Sequence, residues 1–125
     1  MSKLFIIFGS AFAFLAVAFG AFGAHVLKAK IGEQHLSVFE TGVQYQMMHA
    51  LGLILIGILS ITVFQGQSSL LNWAGWIMFI GIILFSGSLY MLSTTQLSVF
   101  GPITPLGGVA FLVSWLLVII AFIKS

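Results

Sequence analysis

The chain has very little charge and no cysteine. Charged residues make up 5% of its 125 residues, where about 25% is usual in soluble domains. Four basic and two acidic side chains cannot cover the surface of a soluble globule of this length. This excludes a soluble monomer, a disordered chain and a nucleic-acid-binding protein. The absence of cysteine excludes disulfides, thiolate catalysis, palmitoylation and cysteine-ligated metals.

Hydrophobic residues make up 61% of the sequence and lie in long, continuous runs. A helix needs about 20 apolar residues to cross a bilayer. Four runs reach this length, so we predict one all-α membrane domain over residues 1–125, a bundle of four transmembrane helices at residues 4–24, 45–64, 70–92 and 105–123. The first run is longer than the roughly 7–15 apolar residues of a signal-peptide core, so we expect it to be a retained span.

Polar residues collect at one end of the predicted bundle. With four spans, the first connection (residues 25–44) and the third (residues 93–104) lie on one side, here named the first-and-third-loop end. The first connection mixes charged and apolar side chains, which predicts an interfacial amphipathic segment between the first and second spans. The positive-inside rule leaves the orientation open, because two lysines lie at each end: Lys3 and Lys124 at one, Lys28 and Lys30 at the other.

Polar side chains of three predicted spans form a candidate site at this end. On a helix over residues 45–53, Gln46 and His49 share one face. An ionisable group at the depth of His49 is a functional candidate by default, although it could equally fix helix packing. Unpaired polar groups are costly in hydrocarbon, so we expect these side chains to converge. The predicted ligand-binding or structural cluster comprises Gln46, His49, Ser86, Tyr90 and Thr104, with His25 and Glu40 at its rim.

Small residues recur every three or four positions along the first predicted span, and two adjacent glycines open the fourth. Such rows let helix backbones approach closely in lipid. The predicted helix-packing residues are Gly9, Ala13, Ala16, Gly20 and Gly23 on the first span and Gly107 and Gly108 on the fourth. We also expect the chain to form a homo-oligomer, chiefly through the row on the first span.

The sequence lacks the motifs of common catalytic and cofactor sites. His25 and His49 have no diagnostic metal-ligand spacing and no close acidic partner, and there is no nucleophile elbow, zinc-protease motif or phosphate loop. We therefore expect no metal, no cofactor and no enzymatic activity. An intramembrane enzyme that uses His49 or His25 as a base with Glu40 ranks third among the functional readings.

Four segments carry a family resemblance. They read GAFGAH at residues 20–25, ETGVQYQMMHA at 40–50, LFSGSLY at 84–90 and GPITPLGG at 101–108. In this order they closely resemble the domain-of-unknown-function 423 family, small four-span proteins of bacterial inner membranes. The resemblance covers essentially the whole chain and implies a multi-pass protein of the plasma membrane. It implies no reaction, because the family has none assigned.

We favour two hypotheses for the function. In the first, the chain is a non-enzymatic, self-associating bundle that binds a membrane lipid, a small amphipathic ligand or a partner membrane protein at the first-and-third-loop end. In the alternative, an oligomer forms a small transporter or channel lined by His49, Gln46 and Tyr45. The opposite end has few polar residues that could continue a transport path across the membrane, which disfavours this alternative.

Overall fold

The computed structural model describes residues 2–125, and within them the fold is entirely helical with no strands. The all-α prediction is therefore confirmed. The four α-helices are α1 (Ser2–Ala18), α2 (Ala24–Thr62), α3 (Ser69–Thr95) and α4 (Ile103–Lys124). A π-helical turn, Phe19–Gly23, joins α1 to α2, and a 3-10 turn, Ser98–Phe100, precedes α4.

The backbone of α2 changes direction at Gly32. This residue has φ 78° and ψ 168°, a conformation that side-chain-bearing L-residues rarely adopt. It divides α2 into a short arm (residues 24–31) and a long arm (residues 33–62). The short arm continues from the π-helical turn, and the long arm runs back along α1. As the numbering in α1 and the π-helical turn rises from Ser2 to Gly23, the contacting residues of the long arm fall from Ser60 to Phe39.

The turn between α2 and α3 is set by a few polar residues. Gln65 and Gly66 have positive φ values of 53° and 77°, and the amide of Gly66 donates to the carbonyl of Ser60 at 2.7 Å. The side chain of Ser68 then caps α3 by accepting a hydrogen bond from the amide of Leu71 at 3.2 Å. Short capped turns of this kind place consecutive helices side by side.

Helices α2 and α3 are the centre of the packing. Helix α1 packs on the long arm of α2 and reaches α3, while α4 packs on α3 and reaches α2 through its side chains. Apolar side chains of all four helices form the core: Phe5, Leu53, Ile56, Leu71, Met78, Ile82 and Phe111. Both chain ends lie beside the turn between α2 and α3, because Ser2 hydrogen-bonds Ser60 and Phe122 packs edge-on against Phe64.

In the part of the chain that the structure describes, three helical stretches are long and apolar enough to cross a membrane: Ser2–Thr62, Ser69–Thr95 and Ser98–Lys124. The first contains both of the first two predicted spans, because the backbone stays helical through the π-helical turn and on either side of Gly32. The predicted amphipathic segment is helical but not a separate element, since its two halves continue the flanking helices. Its position at the membrane interface and the number of crossings stay predictions.

Candidate functional site

Gln46 connects three helices through its amide group. Its side chain is 3% exposed. Its Nε2 donates to the carbonyl of Phe12 on α1 at 2.7 Å, and its Oε1 accepts from the hydroxyl of Tyr90 on α3 at 2.5 Å. A buried amide with both ends paired avoids the cost of an unsatisfied polar group. Gln46 therefore acts as a cross-link between α1, α2 and α3.

His49 connects α2 to α4 and is likewise 3% exposed. Its Nδ1 lies 2.9 Å from the carbonyl of Tyr45, and its Nε2 lies 3.0 Å from the indole Nε1 of Trp115. A carbonyl can only accept and an indole can only donate, so these partners assign the neutral ring with the proton on Nδ1. The ring also stacks on Phe111, with centroids 3.6 Å apart and planes at 9°. Both nitrogens are occupied within the chain.

Three serines extend the connection between helices. Ser86 donates to the carbonyl of Gly42 on α2 at 2.7 Å, and Ser114 on α4 donates to the carbonyl of Ala74 on α3 at 2.6 Å. The hydroxyls of Ser88 and Thr104 are 2.5 Å apart, which ties α3 to the start of α4. Ser114 bonds α3 nearer the opposite end, and the remaining side chains form the inner polar cluster: Gln46, His49, Ser86, Ser88, Tyr90, Thr104 and Trp115.

The predicted site residues fall into two groups. Gln46 lies with Tyr90, Thr104 with Ser88 and His49 with Trp115, while Ser86 bonds the backbone of α2. The two predicted rim residues, His25 and Glu40, are exposed and take no part in the described hydrogen bonds of the cluster. His25 lies on the short arm of α2, and Glu40 lies on the face of the long arm away from His49.

Sequence reasoning missed Trp115 and the carbonyls that receive the cluster's donors. Trp115 stands 66 positions after His49, so no local spacing connects the two residues. One signal was available: an indole N–H inside an apolar helix needs an acceptor, and His49 is the ring acceptor that the spans contain. The carbonyls of Phe12 and Gly42 carry no sequence signal, because every residue has one.

The predicted small-residue rows lie largely within the chain. A Cβ atom on Gly9 would collide with Ile54 and the carbonyl of Ala50, both on α2, and Ala16 is buried. Gly20 and Gly23 face Val43 and Phe39 of the same helix. Gly9, Gly20 and Gly23 of this row therefore face α2 within the chain. Self-association through the row stays a prediction.

On α4 the two predicted glycines differ. A Cβ atom on Gly107 would overlap the backbone of Phe85, whereas a Cβ atom on Gly108 would lie 4.0 Å from its nearest neighbour. Gly107 is therefore a point of close helix contact, and Gly108 is not. Ala13, the remaining member of the first-span row, is half-buried and lines a shallow apolar groove on the outside of α1.

The arrangement offers little for metal or acid–base chemistry. Within residues 2–125, no group of three or more His, Asp or Glu side chains is placed to hold a metal ion. A path lined by His49, Gln46 and Tyr45 would require the bonds from His49 to Trp115 and from Gln46 to Tyr90 to open. The hydrogen bonds of these side chains hold the four helices in register.

The comparisons with known proteins agree on one family. The model for a protein family of unknown function, DUF423, matches residues 19–108. The chain belongs to this family. The resemblance drawn from the four sequence segments is thereby confirmed.

Relatives match along nearly the full chain. The UPF0382 membrane protein YwdK of Bacillus subtilis is 55% identical over 122 residues, covering 98% of both chains. UPF0382 membrane proteins of Staphylococcus aureus and Staphylococcus haemolyticus are 53% and 49% identical over 123 residues, covering 98% of this chain and 97% of theirs. These names support a membrane protein and state no enzymatic activity. No solved structure matches the chain.

Proposed function

We propose that this protein is a non-enzymatic, multi-pass protein of the bacterial plasma membrane that binds an anionic lipid at its first-and-third-loop end. The observation that carries the proposal is the contrast between closed and exposed polar groups at that end. The inner polar cluster uses its hydrogen bonds within the chain, while charged side chains of the short arm of α2, toward the same end, lie exposed.

The proposal includes four membrane crossings with both termini on one side. It is supported by the antiparallel contacts between α1 and the long arm of α2 and by the position of both chain ends beside the Ser60–Ser69 turn region. Reporter fusions at Ser2 and Ser125 test this count. Both reporters should appear on the same face of the membrane, and reporters on opposite faces would contradict it.

A non-enzymatic role is supported by the buried ring of His49, whose two nitrogens are both hydrogen-bonded within the chain. A general base needs a free lone pair, and the Nε2 of His49 already accepts from Trp115. Glu40, the acidic partner that an enzyme would need, is exposed on another face of α2. The names of the relatives state no activity either.

The short arm of α2 supports the lipid contact. Lys28 and Lys30 are exposed there, and so are the apolar side chains of Phe22 and Val26 directly before them. Basic residues beside exposed apolar ones are typical of a surface that meets phospholipid headgroups and the first acyl methylenes. Each lysine near an anionic lipid surface contributes about 1 kcal/mol, roughly a fivefold change in affinity.

Lipid retention in native mass spectrometry tests this contact. The protein is purified in detergent and incubated with phosphatidylglycerol or with phosphatidylcholine of the same acyl chains. The double variant Lys28→Gln, Lys30→Gln should lose most of the bound phosphatidylglycerol, whereas Lys124→Gln, at the opposite end, should retain it. Equal retention by the double variant and the wild type would overturn the lipid contact.

A further inference from the structure

A cleft opens at the end of the molecule opposite to the inner polar cluster. It has a volume of about 330 Å³ and is lined by Ser69, Asn72, Trp73 and Trp76 at the start of α3. The polar turn that carries Gln65 to Ser68 lies immediately before it. In the proposed arrangement of four crossings, a cleft one turn into an apolar helix lies at the level where lipid headgroups meet the hydrocarbon.

Asn72 supplies an acceptor that the chain does not use. Among residues 2–125, its Oδ1 is the buried side-chain oxygen or nitrogen for which the structure shows no hydrogen-bond partner. An amide oxygen has two lone pairs and accepts from hydroxyl, ammonium or amide donors. Buried polar atoms are nearly always paired, so an unpaired oxygen in the wall of a cleft points to a donor from outside the chain.

Two indole rings give the cleft its apolar character. Trp73 is 64% exposed, and Trp76 packs edge-on against Phe5 with ring centroids 5.3 Å apart. Tryptophan is enriched at the boundary between water and hydrocarbon, where one part of a ligand is polar and the other apolar. None of the four lining residues is charged, so recognition here depends on hydrogen bonding and on the ring faces rather than on net charge.

We propose that this cleft binds one membrane phospholipid whose headgroup carries hydrogen-bond donors. The ammonium of an ethanolamine headgroup or a hydroxyl of a glycerol headgroup donates to Oδ1 of Asn72, whose side chain turns toward the cleft to receive it, because the oxygen is buried in the unliganded structure. The indole of Trp73 covers the glycerol backbone and the first methylenes, and an ammonium also interacts favourably with its ring face. The proposal is independent of the lipid contact at Lys28 and Lys30, because it depends on donors and not on anionic charge.

Phosphatidylethanolamine and phosphatidylcholine test the proposal directly, since they carry the same net charge and only the first has N–H donors. Each lipid, with identical acyl chains, is added to the detergent-purified protein, and the bound fraction is measured by native mass spectrometry. The wild type should retain phosphatidylethanolamine about fivefold better, the size of one ordinary hydrogen bond. Equal retention of the two lipids would overturn the proposal.

Variants locate the preference. Asn72→Leu should remove the preference for phosphatidylethanolamine, while Gln67→Leu, which changes an exposed amide outside the cleft, should leave it intact. A preference that survives in Asn72→Leu would overturn the assignment to this cleft. If Asn72→Leu does not fold, quenching of tryptophan fluorescence by brominated lipids is measured in the wild type and in the double variant Trp73→Phe, Trp76→Phe, which removes both indoles of the cleft. Brominated phosphatidylethanolamine should quench the wild type more than brominated phosphatidylcholine does, and equal quenching, or a difference that persists in the double variant, would contradict the proposal.

Discussion

The two ends of the molecule differ in whether their buried polar side chains are hydrogen-bonded within the chain. At the first-and-third-loop end, Gln46 and His49 have every polar atom of the side chain paired within the chain. At the other end, Asn72 has a buried amide oxygen with no partner and lines a cleft. A polar residue inside a membrane helix is therefore not by itself a binding site. The state of its hydrogen bonds distinguishes a cross-link between helices from a group that can receive a ligand.

The first-and-third-loop end depends on close contact between helix backbones, and we expect the largest loss of stability from a substitution at Gly107. Gly107→Ala would place a Cβ on the backbone of Phe85, so α3 and α4 must separate, at a cost of about 1–3 kcal/mol or more. Gly108→Ala is the matched control, because its Cβ has room and alanine favours the helix by about 1 kcal/mol. Thermal unfolding in detergent should show a loss of stability for the first variant and no loss for the second. Two variants of equal stability would contradict the close contact at Gly107.

The amide of Gln46 should carry the next largest effect. Gln46→Leu removes two hydrogen bonds between helices, and the buried hydroxyl of Tyr90 loses its acceptor on α2, which we expect to cost about 2–3 kcal/mol. Gln44→Leu makes the same change at an exposed position of the same helix and should cost less than about 0.5 kcal/mol. Denaturation of both variants in the same detergent measures the difference, and a Gln46→Leu variant as stable as Gln44→Leu would show that this end is not closed.

Replacing Asn72, at the opposite end, should not lower the free energy of unfolding. Asn72→Leu replaces an amide whose oxygen is buried and unpaired, so we expect unchanged stability or a gain of up to about 1 kcal/mol in lipid-free detergent. Thermal unfolding of Asn72→Leu and Gln46→Leu in the same detergent compares the stabilities of the two variants. A loss as large as that of Gln46→Leu would mean that Asn72 is a structural cross-link as well.

The predicted rim residues should show the smallest effect. Glu40→Gln and His25→Gln alter exposed side chains outside the described bonds of the cluster, so each should change stability by less than about 0.5 kcal/mol. The same unfolding assay serves as the measurement. A larger effect of either variant would place that residue in the inner polar cluster.

The sequence predicted those features that depend on composition and on local periodicity. Long apolar runs predict membrane helices, and three-residue spacing places Gln46 and His49 on one face, where both are buried in the structure. The reversal at Gly32 and the π-helical turn at Phe19–Gly23 were not predicted, because one glycine among many gives no sign of which one adopts a positive φ. Periodicity likewise identifies the inner face of a helix but not the helix that faces it. Trp115 and the carbonyls of Phe12 and Gly42 therefore appeared only in the structure.

The pair of His49 and Trp115 offers the most direct test that the inner polar cluster is a structural cross-link. In a double-mutant cycle, His49→Phe keeps a ring on Phe111 but removes both nitrogens, and Trp115→Phe removes the indole donor. The free energies of unfolding of the wild type, both single variants and the double variant are measured in one detergent. A cross-link predicts a coupling energy of about 1 kcal/mol or more between the two positions. Additive effects, within about 0.5 kcal/mol, would contradict the account.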